Sequence, residues 1–120
     1  LRQCIAQVED EYIYLYGDAS KPIRTLAICG GAFDEGYLQA RQLGAQAYLT
    51  GEIHHHNAIA AVGSGFVLFG GGHFGTEAVL VPKLAGALQN ALNALQYYVY
   101  VYPSVYRPYG GRTDIEGGTT

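Results

Sequence analysis

Short apolar runs alternate with amphipathic stretches through the middle of this chain, and glycines follow most of them. The apolar runs, which predict buried strands, are 25–29, 45–49 and 66–69, and the amphipathic stretches, which predict helices, are 34–43 and 54–62. We expect Asp34 to cap the first helix and Gly44 and Gly63 to end the two helices. Strands and helices that alternate with short loops form right-handed βαβ units. The pattern therefore predicts an α/β fold with a mostly parallel sheet built from strand-turn-helix units.

Two tyrosine-rich segments show the alternation typical of strands. Tyrosines alternate with aliphatic residues at 12–16 and with valines at 97–102. Paired with each other, these segments would add an antiparallel, Tyr-rich edge to the sheet. A long uncharged edge aggregates unless it is covered, so we favour burial against another half-domain or subunit. Stacking of the tyrosines on a nucleobase is the functional alternative.

The remaining segments set the expected domain limits. An apolar stripe predicts a last helix, which Pro82 should kink or delay, and its members are Leu80, Leu84, Leu88, Ala91, Leu92 and Leu95. Residues 1–8 have the pattern of the end of a helix, and glycines and prolines are frequent from 103 onward. We expect a single α/β domain over 1–102 and a mobile tail over 103–120.

A glycine-rich turn after the strand at 66–69 contains a histidine and a glutamate four residues apart. Gly70, Gly71 and Gly72 precede His73, Glu77 lies one helical turn later, and Thr76 is the expected N-cap of the next helix. The carboxyl ends of parallel strands are where open α/β sheets bind ligands. An imidazole and a carboxylate at this spacing suit zinc, manganese or iron, although solvated H-x-x-x-E pairs on helix surfaces are common.

A second unit just upstream presents the same residue types in reverse order. Glu52 and His56 follow the strand at 45–49 and its Thr50-Gly51 turn. The three consecutive histidines 54–56 cannot all face one site, and spacing favours His56. We therefore predict His73 and Glu77 as metal ligands, and Glu52 and His56 as nearby catalytic acid/base or orienting groups.

Three ordered motifs resemble those of the Nif-three-like family, the GTP cyclohydrolase I type 2 homologues. The motifs are LAICGG at 26–31, AYLTGEIHHHNA at 47–58 and GHFGTE at 72–77. The resemblance implies that His73 and Glu77 ligate a two-metal centre and that Thr50, Gly51 and His56 lie near it. Glu52 stands where the family usually has Asp, which keeps the charge, whereas Asn57 stands where Asp is frequent.

The resemblance covers the carboxyl-terminal half of the family only. The remaining family ligands, a His-His pair and an Asp, belong to an amino-terminal half without a counterpart in this sequence. The chain opens on Leu1 and contains no Met, so we expect that residue 1 is not an initiator. If the chain is a fragment, its metal site is half a site.

Composition narrows the function classes further. The chain has 120 residues, a formal charge of −3 and only seven Lys plus Arg, which argues against a nucleic-acid partner. No apolar run approaches the roughly 20 residues that span a bilayer, and no leader pattern is present, so we expect a cytoplasmic protein with no membrane partner. Cys4 and Cys29 lack the spacing of a zinc or redox motif.

Two functions from different classes fit these features. The first is a metal-dependent hydrolase, for which the resemblance implies a nucleotide-like substrate and GTP ring opening. The second is a non-catalytic metal-binding or scaffold module, and for either one the family resemblance implies a homo-oligomer. A phosphate-binding Gly30-Gly31 loop is a third, weaker alternative, since close strand-to-helix packing also explains the glycine pair.

Overall fold

The computed structural model describes residues 13–104, so the predicted helix end at 1–8 and most of the predicted tail lie outside the described residues. This part of the chain forms four strands and four helices. In order they are β1 (Tyr14–Tyr16), β2 (Leu26–Ile28), α1 (Gly36–Gln42), β3 (Ala47–Thr50), α2 (His55–Gly63), β4 (Val67–Gly70), α3 (His73–Ala78) and α4 (Leu80–Ala94).

The strands form one sheet in the order β1-β4-β3-β2. β3 pairs in parallel with β2 on one side and with β4 on the other, while β1 pairs antiparallel with β4. This arrangement confirms the predicted α/β class and its mostly parallel sheet. The parallel strands bring the loops after β2, β3 and β4 to the same edge.

The two central strands carry the core. Every residue of β3 and β4 is buried, as expected for parallel strands covered on both faces. On one face Tyr48 and Leu68 pack with Tyr37 of α1 and Ala61 of α2. Their strand neighbours form a second cluster on the other face, which contains Ala47, Leu49, Val67 and Phe69. The sheet edge that holds the loops is therefore fixed by the best-packed part of the chain.

A glycine with a positive φ follows each of the helices α1 and α2. Gly44 follows α1 with φ +88°, as predicted. α2 ends at Gly63, one residue later than predicted, and the left-handed residue after it is Gly65, with a φ of +73°. The N–H of Phe66 then donates to Ala61 O, which closes the last turn around Gly65.

The predicted N-caps are both wrong, because each side chain bonds elsewhere. α1 begins at Gly36 with Glu35 as its capping residue, and the Asp34 carboxylate instead accepts hydrogen bonds from His54 in the loop after β3 and from Asn57 in the first turn of α2. α3 begins at His73, so Thr76 lies inside it rather than ahead of it.

The start of the predicted last helix is delayed, as expected from Pro82, which lies in the first turn of α4. α3 ends at Ala78 and α4 starts at Leu80. Pro82 has no N–H to donate to the Ala78 carbonyl, and its ring crowds that carbonyl, so the helix is interrupted there.

The predicted strand at 97–102 is wrong, because residues 97–104 form no strand in the described chain. Their backbone groups bond to a helix side chain instead. Gln89 Nε2 donates to Val99 O (2.9 Å), and the N–H of Val101 donates to Gln89 Oε1 (2.8 Å). The antiparallel edge is supplied by β1, which contains Tyr14 and Tyr16.

Within residues 13–104, no helix combines the length and apolar character needed to cross a membrane.

Candidate functional site

The candidate site lies where the loops after β2, β3 and β4 meet. Backbone hydrogen bonds join the three loops. Gly31 O accepts from the N–H groups of Gly51 (2.8 Å) and Glu52 (3.2 Å), and the N–H of Gly72 donates to Gly51 O (3.0 Å). A Cβ at Gly51 would lie 2.6 Å from Gly31 O and 2.8 Å from Gly72 O. Only glycine therefore allows the loops to approach this closely.

Two threonine hydroxyls strengthen this junction. Thr76 Oγ1 accepts from the N–H of Gly31 (3.0 Å) and contacts Gly72 O (2.9 Å) as a donor. Thr50 is fully buried, and its hydroxyl donates to Gly31 O (3.2 Å). The loop after β2 is thus tied to the strand end of β3 and to the first turn of α3.

His73 lies between two carboxylates in this junction. Its Nδ1 is 2.8 Å from Glu52 Oε1, and its Nε2 is 3.3 Å from Glu77 Oε2. All three side chains are partly exposed. Because 73–77 is helical, His73 and Glu77 share one helix face.

The contacts with Glu52 and Glu77 place the two nitrogens of the His73 imidazole in different environments. The hydrogen bond to Glu52 raises the pKa of His73, partial burial opposes this shift, and the charges of both glutamates add to it. Since a carboxylate only accepts, Nδ1 carries the proton that bonds to Glu52. Nε2 faces a second carboxylate, so either a proton or a cation must lie between Nε2 and Glu77 for the contact to be attractive.

The donor set fits part of a metal site. Two zinc ligands at ordinary bond lengths and a tetrahedral angle are about 3.4 Å apart, close to the Nε2–Oε2 separation. A carboxylate on the far nitrogen of a ligating imidazole is also the usual orienting arrangement. Within the described residues, however, no group of three or more His, Cys, Asp or Glu side chains could hold a metal. His73 and Glu77 would be two ligands of a larger set.

Gly31 leaves the space that the Glu77 carboxylate occupies. A Cβ on Gly31 would lie 2.6 Å from Glu77 Oε1 and 3.5 Å from His73 Nε2. Gly31 also has a φ of +75°, which disfavours any side chain. The glycine pair after β2 therefore has a positional explanation at this site.

The structure brings three of the four predicted side chains together and separates the fourth. Glu52, His73 and Glu77 are in contact, whereas the described contact of the His56 ring is with His54, at a centroid distance of 5.7 Å.

Sequence reasoning missed a second carboxylate–imidazole pair, formed by Asp34 and His54. Asp34 accepts hydrogen bonds from the His54 N–H (2.8 Å) and Asn57 Nδ2 (2.8 Å), and its carboxylate lies 3.1 Å from His54 Nδ1. The signal that could have identified His54 is its position two residues after Glu52, on the same side of an extended loop.

Comparisons with known proteins give a consistent result. The model of the family Duf34/NIF3 (NGG1p interacting factor 3) matches residues 1–108. A Streptococcus pneumoniae protein named "GTP cyclohydrolase 1 type 2 homolog" is 33% identical over 91 residues, which cover 76% of this chain and 34% of the relative. The chain thus spans about one third of the length of this curated relative.

Solved structures share the fold. The Staphylococcus aureus protein SA1388 superposes with a TM-score of 0.82 at 27% identity, over 89% of this chain and 34% of that one. A Bacillus cereus protein related to NIF3 gives a TM-score of 0.79 at 24% identity, over 89% and 28% of the respective chains. These matches confirm the resemblance that the three sequence motifs indicate.

Proposed function

Because this chain belongs to the Duf34/NIF3 (NGG1p interacting factor 3) family, we propose that it supplies part of the divalent-metal centre of a hydrolase that acts on a nucleotide-like substrate. The convergence of His73 Nε2 and Glu77 Oε2 at 3.3 Å, with Glu52 on the other imidazole nitrogen, carries this proposal. The substrate class follows from relatives named as GTP cyclohydrolase 1 type 2 homologues.

Each residue has a distinct task in this proposal. His73 and Glu77 hold zinc, manganese or iron, and a complete site takes two metal ions. Glu52 orients His73 through Nδ1 and is the nearest group available for proton transfer. His56 remains a predicted acid/base group. The bound cation would supply Lewis acidity, which polarises a substrate oxygen and acidifies water.

Elemental analysis of the whole protein tests the metal site directly. We expect metal in the unmodified protein and its loss in a His73→Ala, Glu77→Ala double variant. A Glu35→Ala, His55→Ala double variant is the matched control, because it removes the same residue types at exposed positions outside the junction. Equal metal content in all three proteins would contradict the proposal. If the metal behaves as expected, GTP consumption with and without that metal tests the substrate class.

An exposed leucine stripe on α4 supports a second candidate, a homo-oligomeric scaffold. Leu80, Leu84 and Leu88 are 60%, 60% and 48% exposed, and none of the residues of α4 is buried. Such a stripe on a helix normally packs against another surface. We expect Leu84→Gln with Leu88→Gln to lower the mass of the assembly in light scattering, whereas Leu43→Gln, at an exposed position after α1, should not. An unchanged mass would exclude the stripe as the assembly contact.

A cytoplasmic location, and the absence of nucleic-acid and membrane partners, remain predictions of the sequence.

A further inference from the structure

The Asp34–His54 pair is built differently from an ordinary surface ion pair. The Asp34 side chain is only 6% exposed, whereas the His54 side chain is 65% exposed. The carboxylate is held by the backbone N–H of His54 and by Asn57 Nδ2, both at 2.8 Å. Its position is therefore fixed independently of the imidazole that it contacts.

The ionisation of Asp34 determines which nitrogen of His54 carries the proton. Burial raises the pKa of Asp34, but the hydrogen bonds from Asn57 and His54 outweigh burial and lower it to about 2. Asp34 is thus a carboxylate at neutral pH and can only accept. The proton of a neutral His54 therefore resides on Nδ1, and Nε2, on the opposite side of an exposed ring, keeps a free lone pair.

His54 lies at the same sheet edge as the candidate metal centre. Ile53 turns inward against the core, and His54 has extended backbone angles (φ −72°, ψ 144°). Glu52 and His54 flank Ile53 and are both exposed, as period-two geometry requires. Their Cα atoms are about 7 Å apart in such a segment. Glu52 contacts His73 and His54 contacts Asp34, so both pairs are held by the loops at this edge of the sheet.

We propose that His54, oriented by Asp34, is a further proton-transfer group of this sheet edge, in addition to the predicted groups Glu52 and His56. Nε2 takes a proton from water as the water oxygen bonds to the electrophilic carbon or phosphorus of the substrate. The bond to the leaving group then breaks, and the leaving group receives the proton from Nε2. Asp34 is a positioning residue that stabilises the imidazolium formed between the two steps.

The neighbouring histidines provide matched controls within one triplet. His55 and His56 are exposed like His54, yet neither has a carboxylate at ion-pair distance among residues 13–104. If the role needed only an exposed imidazole, His54, His55 and His56 would all fill it equally.

The first test is spectroscopic and requires no substrate. Long-range ¹H–¹⁵N correlation spectra of the whole protein should show His54 with its proton on Nδ1, whereas His55 and His56 should favour the Nε2–H form of a free imidazole. Asp34→Asn should abolish the preference at His54 alone. An Nε2–H form of His54 in the unmodified protein would overturn the proposal.

The second test uses p-nitrophenyl acetate with metal-free protein, so it does not depend on the proposed metal function. We expect His54→Gln to lower the hydrolysis rate about 10-fold or more, and His55→Gln to lower it less than two-fold. His54→Gln keeps the backbone contact to Asp34, so loss of folding is not an expected cause. The proposal would be overturned if the unmodified protein did not accelerate ester hydrolysis, or if His55→Gln lowered the rate as much as His54→Gln.

The natural substrate class of this inference rests on the proposed function. Measuring GTP turnover with added metal therefore tests the two separately. Loss of kcat in His54→Gln with unchanged KM supports both. Ester cleavage through His54 without any GTP turnover supports the Asp34–His54 pair and contradicts the substrate class alone. GTP turnover that His54→Gln leaves unchanged contradicts the proton-transfer role.

Discussion

Replacing Gly31 by alanine would test whether the missing side chain at this position leaves the space that the Glu77 carboxylate needs. The new Cβ would lie 2.6 Å from Glu77 Oε1, and the φ of +75° is unfavourable for alanine. Left-handed backbone costs alanine roughly 1–2 kcal/mol. The Glu77 carboxylate is more than half exposed, so it can move away with little further loss of folding stability. Its movement should instead disturb metal binding.

Gly44→Ala provides the matched control. Gly44 also has a positive φ, +88°, but no atom lies within 4 Å of an added Cβ. Both variants should therefore lose about 1 kcal/mol or somewhat more in urea unfolding of the whole protein, because both bear the same backbone strain. Only Gly31→Ala should weaken binding of Mn²⁺, by roughly 10- to 100-fold, the usual effect of disturbing a ligand's support.

Titration calorimetry with Mn²⁺ measures the difference. Unchanged Mn²⁺ affinity in Gly31→Ala would refute the argument that Glu77 is a ligand held in the space beside Gly31. An equal loss of affinity in Gly44→Ala would show that general destabilisation, rather than the contact with Glu77, is responsible.

Three further predictions concern single hydrogen bonds or backbone angles, and urea unfolding tests each of them. Asp34 has a native pKa of about 2 against its ordinary 3.8, so its contribution to stability is fully present above pH 4 and is lost as the pH falls through 2. This contribution to the free energy of unfolding is about 2 kcal/mol, and Asp34→Asn should remove the pH dependence. Thr76→Val leaves the Gly31 N–H without its acceptor and should lower the free energy of unfolding by roughly 1–2 kcal/mol. Thr76→Ser keeps the hydroxyl and should lose much less stability. Equal losses in the two variants would contradict the role of the hydroxyl. Gln96 closes α4 with a φ of +60°, so Gln96→Gly should stabilise the protein by about 1 kcal/mol, whereas Gln96→Ala should bring no gain.

The central sheet was predictable because local pattern and tertiary packing agree there. Residues 66–69 are apolar throughout and 45–49 are apolar except for Gln46, and β3 and β4 are indeed the two strands whose residues are all buried. The tyrosine-rich segment at 97–102 has an equally strong strand pattern but forms no strand in the described chain, where Gln89 bonds to the backbone of Val99 and Val101. Strand propensity describes suitability for a half-buried pleated surface, and it cannot by itself provide a partner strand.

The N-cap predictions failed for a related reason. Asp34 has the residue type and position of a cap, yet its carboxylate bonds to His54 and Asn57, about twenty residues later in the chain. A short side chain that can satisfy local donors can equally satisfy donors brought near by the fold. Sequence position alone does not distinguish these two outcomes.

The candidate site shows how backbone conformation decides the meaning of residue spacing. Glu52-x-x-x-His56 and His73-x-x-x-Glu77 have the same spacing in opposite order, but only 73–77 is helical throughout, so only that pair meets on one face. Residues 52–54 precede α2 outside any helix, and His54 has extended backbone angles, so the relevant period there is two rather than four. That period pairs Glu52 with His54 and leaves His56 to the helix. Glu52 then reaches His73 across the junction, while His54 reaches the buried carboxylate of Asp34. Glu52 and His54, two residues apart, thus belong to different pairs, and in each pair a carboxylate lies on the Nδ1 side of a histidine.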